Sequence, residues 1–196
     1  IANFDAYGTD FTFPGDRNYG MIFGRGLTAH AKLGLGKTNR NRLTISGTYD
    51  AMVNDNSEGK IPFLTINPSN PATFYHFWSG AFGYEYGYNA SCNVKQYLGA
   101  ALTATLIHAG EGSIYTFKDA FRMGLMVNGG FEFALNKTRT LGLNLGLKWH
   151  LPNIFAQENG VGKINDGTGQ PGAGFWRKIG IISITAGLNF YTFDTN

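Results

Sequence analysis

Eight ionisable residues, Lys32, Arg42, Asp50, Glu85, Lys95, Arg122, Glu132 and Lys148, stand among small polar neighbours, each on the same side of an alternating run. Five are cations and three are anions. If a fold brings them into one narrow enclosure they must pair, because an uncompensated buried charge is strongly destabilising. Such a set can plug an interior by ion pairing, or it can line a selective path for ions. His30, His150, Ser46, Ser183 and Asp50 share that side. An acyl hydrolase or acyltransferase would need a His beside a Ser and an acidic orienter, and no spacing here assembles such a triad. His76 and His108 lie near loops and lack the His-Glu-x-x-His pattern of a zinc enzyme. Gly34-Leu35-Gly36-Lys37-Thr38 has the ending of a phosphate-binding loop, but Ala31 stands where its first Gly belongs and the segment enters a hairpin, not a helix. Cys92 is the one cysteine, which excludes an intramolecular disulfide and a cysteine-built zinc set. These residues point to no catalytic centre, metal or cofactor.

The elements that must position these residues are strands. From Met21, the odd positions Phe23, Leu27, Ala29, Ala31, Leu33 and Leu35 alternate with Gly26, Thr28, His30, Lys32 and Gly34, the period of two that defines a strand with two unlike faces. Past the turn at 37–41, Leu43, Ile45, Tyr49 and Val53 oppose Arg42, Thr44, Ser46, Thr48 and Asp50. The same alternation returns around Phe82 to Tyr88, Val94 to Leu106, Phe121 to Leu135, Leu141 to Leu151 and Ile182 to Phe190, which makes seven strands. A strand over Phe4 to Phe13 brings the count to eight; if that segment lay inside, an odd wall of seven would remain. The 196 residues form one domain, 1–196.

Alternating strands fit two opposite objects, a soluble barrel with its apolar face inward or a membrane barrel with its apolar face outward. Composition separates them. Only 15% of residues are charged while 15% are aromatic and 28 are Gly, and the polar face carries Gly, Ser, Thr and Asn where a water-facing surface would carry dense charge. The apolar face is nearly free of ions, as contact with hydrocarbon requires, since Arg or Lys at the bilayer midplane costs about 2 to 4 kcal/mol. Its exceptions, Arg25 and Lys178, fall near strand ends, where lipid or lipopolysaccharide headgroups would accept them. Aromatic residues form two girdles: Phe23, Tyr49, Trp149 and Trp176 on the side of the long connections, and Tyr86, Tyr88, Phe131, Phe133 and Phe190 on the other. Connections alternate short (37–41, 89–93, 136–139) and long (54–72, 109–116, 152–175), as periplasmic turns and extracellular loops do. Such long loops are where a binding function would reside. A net charge of +3, spread along the chain, gives no nucleic-acid footprint. Ile1-Ala2-Asn3-Phe4-Asp5 has neither a basic nor an apolar leader region, so the chain reads as a mature exported protein whose signal peptide is already removed.

The eight-strand pattern and the closing segment from Gly180 to Tyr191 resemble the OmpA/OmpX-type small outer-membrane barrels, in a form similar to those of Bacteroidota-like bacteria. The resemblance covers the whole chain and is one of pattern, so it implies fold and location and carries no activity with it. It departs from the family at its end, where Asp194-Thr195-Asn196 follow Phe193 in place of a terminal Phe. The expectation is an all-β, eight-stranded antiparallel up-and-down transmembrane barrel with both termini periplasmic. It is non-catalytic, with a structural or surface-interaction role, and its partners are outer-membrane lipids, lipopolysaccharide and a larger membrane complex. Two rivals are a narrow porin-like channel past Lys32, Glu85, Lys95, Arg122 and Glu132, and a lipid-modifying enzyme using His30 or His150.

Overall fold

The computed structural model describes residues 2–6, 21–54, 73–88, 93–109, 119–155 and 179–191. Eight strands follow in chain order: β1 (Ala2–Ala6), β2 (Met21–Leu35), β3 (Asn41–Asn54), β4 (Thr73–Tyr88), β5 (Val94–Ala109), β6 (Ala120–Ala134), β7 (Leu141–Leu151) and β8 (Ile181–Phe190). Each pairs antiparallel with its neighbour in sequence, and β1 pairs with β8 to close the barrel. Closure satisfies every neighbour relation and abolishes free sheet edges between elements, which an alternating sequence without helices needs. The first segment is therefore wall and not plug. Ala2–Ala6 lies against Leu27–Phe23 of β2, and Ala2–Phe4 against Ala186–Ile184 of β8. This strand is shorter and earlier than the expected Phe4 to Phe13, of which residues 7–13 lie outside the described residues.

The pairing register fixes the shape. A line of cross-strand partners that leaves β2 at Arg25 passes through Phe4, Ile184, Leu147, Gly129, Leu98, Tyr86 and Asn41, and returns to β2 at Leu35, ten residues along. Ten residues of stagger over eight strands, at about 3.3 Å per residue and about 4.8 Å between strands, tilt the strands by about 40°. The lumen of such a barrel is filled by side chains.

Sequence parity assigns the faces, and the structure agrees strand by strand. Leu27, Ile45, Phe82, Leu102, Phe121 and Ile184 face outward at 58–63% exposure, whereas Asp50, Glu85 and Glu132 face the lumen at 0–1%. Two of the short turns lie among the described residues. In the β2–β3 turn Gly36 (φ 75°) and Asn39 (φ 48°) take left-handed backbone that Gly and Asn tolerate. In the β6–β7 turn Asn136 organises the chain: its Nδ2 donates to Thr138 and Thr140 hydroxyls at 2.9 and 2.7 Å, and its Oδ1 accepts the Leu141 N–H at 3.1 Å.

Candidate functional site in the barrel lumen

The lumen is built in three tiers, and the register explains each. Nearest the short turns, Arg42 of β3 is the direct cross-strand partner of Glu85 on β4. Arg42 Nη1 donates to Glu85 Oε1 at 2.9 Å and to Glu132 Oε2, across the lumen on β6, at 3.0 Å. Lys32 of β2 completes the square, with Nζ 2.7 Å from Glu132 Oε1 and 2.9 Å from Glu85 Oε2. Two cations thus share two carboxylates, and no member of the square lacks a partner of opposite sign. Aromatic groups flank it. Lys32 Nζ sits 4.3 Å from the centre of the Tyr97 ring, and Lys95 Nζ 5.3 Å from that of Tyr191, both in cation–π range. The Tyr191 hydroxyl, just past β8, donates to Glu132 Oε2 at 3.2 Å. Burial, and next the Glu132 carboxylate, push this phenol up to about 12.

The middle tier is a small cavity of about 70 Å³ lined by Thr28, His30, Ser46, Thr48, Asn128 and Asn144 among others. Tyr97 reaches across it to donate to Asn144 Oδ1 at 2.9 Å. Glycine makes room for that ring: a Cβ on Gly146 would stand 2.6 Å from the Tyr97 hydroxyl, and one on Gly130 2.8 Å from it and 2.3 Å from the Leu145 carbonyl. His30 pairs in register with Ser46, yet its Nε2 bonds to Asn189 Oδ1 at 3.3 Å.

Above the cavity, Lys148 Nζ lies 3.5 Å from Asp50 Oδ2, His150 Nε2 bonds to Thr103 Oγ1 at 3.1 Å, and Ser79 to Thr105 at 2.9 Å. Over this tier sits an apolar lid of Met52, Tyr75, Phe77, Ile107, Ala120, Ile179 and Ile181, all at most 3% exposed. Asn153 ties the lid down by accepting the Ile179 N–H at 2.8 Å.

The eight expected lumen ions all lie at inward positions, and their ion pairs among the described residues fall at two levels. Lys32, Arg42, Glu85 and Glu132 make the square, and Asp50 with Lys148 makes a separate upper pair. Lys95 stacks on Tyr191. Arg122 stands near the long-loop rim, where its Nη1 donates to the Phe121 carbonyl at 2.8 Å. The reason is distance along the strands: Arg122 and Glu132 are ten residues apart on β6, about 33 Å of strand. The histidines named for the catalytic rival, His30 and His150, make other bonds among the described residues. Buried Ser183 Oγ has no hydrogen-bond partner among the described residues.

On the outer face, Arg25 is exposed near the long-loop rim. Tyr49 packs on Trp78 with ring centres 4.3 Å apart, Trp149 is exposed, Tyr86 meets Tyr88 and Phe131 meets Phe133 near the short turns, and Phe190, at the same end of β8, is 76% exposed. Lys178 and Trp176 lie outside the described residues, as do most of the two longest loops, and for Phe23 only the backbone is described. Residues that sequence reading passed over are Trp78, which belongs with Tyr49, and the lid. A signal for the lid was present: Tyr75, Phe77, Ile107 and Ile181 carry apolar side chains at inward parity at the long-loop ends of their strands. His76 and His108, expected beside loops, lie within β4 and β5.

No protein-family model matches the chain. No curated protein matches it either. Among solved structures, the crystal structure of Neisserial surface protein A is similar to it, with a TM-score of 0.55 at 18% identity, over 95% of this chain and 90% of that one. At that identity the likeness speaks for the fold.

Proposed function

We propose that this chain is an integral outer-membrane barrel of a Gram-negative bacterium, without catalytic activity, that serves a structural or surface-interaction role. One observation carries the reading: the barrel is inverted relative to a soluble one. Leucine, isoleucine and phenylalanine side chains stand outward at 58–63% exposure around the wall while carboxylates are sealed inside at 0–1%. In water that surface would expose far more contiguous apolar area than a soluble monomer carries, and in a bilayer it is the contact face. The similar solved structure is that of Neisserial surface protein A, which supports placing this barrel in the same setting. An eight-strand wall and short-turn, long-loop alternation support the OmpA/OmpX-like type. Outer-membrane lipids and lipopolysaccharide are its proposed partners, with Arg25 at headgroup level. The ion square toward the short turns and the apolar cluster toward the long-loop ends, both on the lumen side, favour a plugged barrel over a porin-like channel.

The test is mobility on a denaturing gel with and without boiling, on protein extracted in detergent. A faster band that shifts only on boiling, with β circular dichroism lost in the same step, is the expected result. A chain that stays soluble without detergent and never shifts would overturn the reading.

A further inference from the structure

A second polar cluster lies on the outer wall, away from the lumen. Along one cross-strand row the outward residues are Arg25, Ala51, His76 and His108, with Asp119 beside the last. The next row toward the short turns is Leu27, Tyr49, Trp78, Leu106 and Phe121. His76 and His108 are thus directly opposed partners on β4 and β5, where the wall changes from apolar to polar. Their ring centres are 6.0 Å apart and their planes 30° from parallel.

One nitrogen of each ring is already held. His76 Nδ1 is 2.8 Å from the Tyr49 hydroxyl, and His108 Nδ1 bonds to the Asp119 carboxylate. Among the described residues neither Nε2 has a partner. An imidazole oriented through one nitrogen by a carboxylate or oxygen, with the other left open, is the form in which histidine binds metal, since the outer partner fixes the tautomer and raises basicity. Two Nε2 atoms at 2.0–2.1 Å from one ion place their ring centres roughly 5–6 Å apart, which is the spacing here.

We propose that His76 and His108 form a two-histidine site for a divalent transition ion of the zinc class, with Asp119 and Tyr49 as the positioning residues. Binding sets both rings as Nδ1–H tautomers, His76 donating to Tyr49 Oη and His108 to Asp119, so that both Nε2 lone pairs face the ion. Among the described residues no three His, Cys, Asp or Glu side chains converge on one point, so water fills the remaining positions. Imidazole ligands select zinc, nickel or copper over the hard magnesium and calcium ions. The site stands on wall geometry alone and does not depend on the reading of the lumen.

The experiment titrates zinc chloride into the folded, detergent-solubilised full chain by calorimetry and follows the imidazole nitrogen signals by NMR. One ion per barrel is expected, with the His76 and His108 Nε2 signals moving together. His76→Gln and His108→Gln should each weaken binding at least about tenfold, and Asp119→Asn about tenfold through its effect on His108. Cys92→Ser should bind as the parent does. All variants are checked for the parent gel mobility before boiling. No zinc binding by the folded parent, or unchanged affinity in the His76→Gln/His108→Gln double variant, would overturn the proposal.

Discussion

Glu132 shows what a single lumen side chain carries. Its two oxygens accept from Lys32, Arg42 and Tyr191, at 2.7, 3.0 and 3.2 Å. Glu132→Gln keeps the shape but removes one of two negative charges facing two cations. Breaking a buried pair in this way costs about 3–5 kcal/mol, so the urea midpoint of the variant should fall well below that of the parent, whereas exposed Lys137→Gln should leave it unchanged. Tyr191 gives a pH test. Its phenol is held up to about 12 by burial and by Glu132, above the ordinary value near 10. A raised folded-state value contributes stability that is present below about pH 10 and lost as pH rises toward about 12. Parent stability relative to Tyr191→Phe should therefore decline across that window, and no difference in slope between the two would count against the Tyr191–Glu132 contact. The ions at this scale were legible in the sequence as inward positions. Their pairing was not, because Arg42 and Glu132 are 90 positions apart and meet only across a closed lumen.

Strands 14–16 residues long, β3 to β6 among them, owe their faces to alternation and their approach to glycine. Gly130 and Gly146 leave the space that Tyr97 fills, so Gly146→Val should cost about 1–3 kcal/mol by overpacking. Gly47 lies on the outer face with nothing within 4 Å of an added Cβ, and Gly47→Ala should be neutral or slightly stabilising because it lowers unfolded-chain entropy. Equal urea midpoints for the two variants would contradict this account of the glycines. Strand positions and faces were readable because period two survives in the sequence wherever one face is apolar. β1 was harder to bound, since five residues, Ala2–Ala6, contain too few alternations to show where a strand stops.

At the scale of the whole molecule, the proposed plug has two parts of different physics, an ion square toward the short turns and an apolar cluster toward the long-loop ends of the strands. Planar-bilayer recordings on the parent should show no stable conductance steps. Opening one part leaves the other, so Phe77→Ala alone or Glu132→Gln alone should also be silent, and only their combination should pass ions. Discrete steps in the parent that change with Glu132→Gln would favour the channel. Both parts are costly to remove: Phe77→Ala forfeits about 3–5 kcal/mol of packing, as much as the loss of a buried ion partner at Glu132, so folded mobility on the gel must accompany each recording.

Composition and alternation by themselves determined a barrel wall, which face is apolar, where the turns fall and that ions point inward, because each of these depends on residues close in sequence or on parity along one strand. Closure through β1, the ten-residue stagger, the division of the ions into a square and a separate pair, the lid, and the opposed histidines on the outer wall were decided only by the tertiary structure. Each of them depends on register between strands. A shift of register by one pair leaves every alternating pattern intact while bringing different residues face to face.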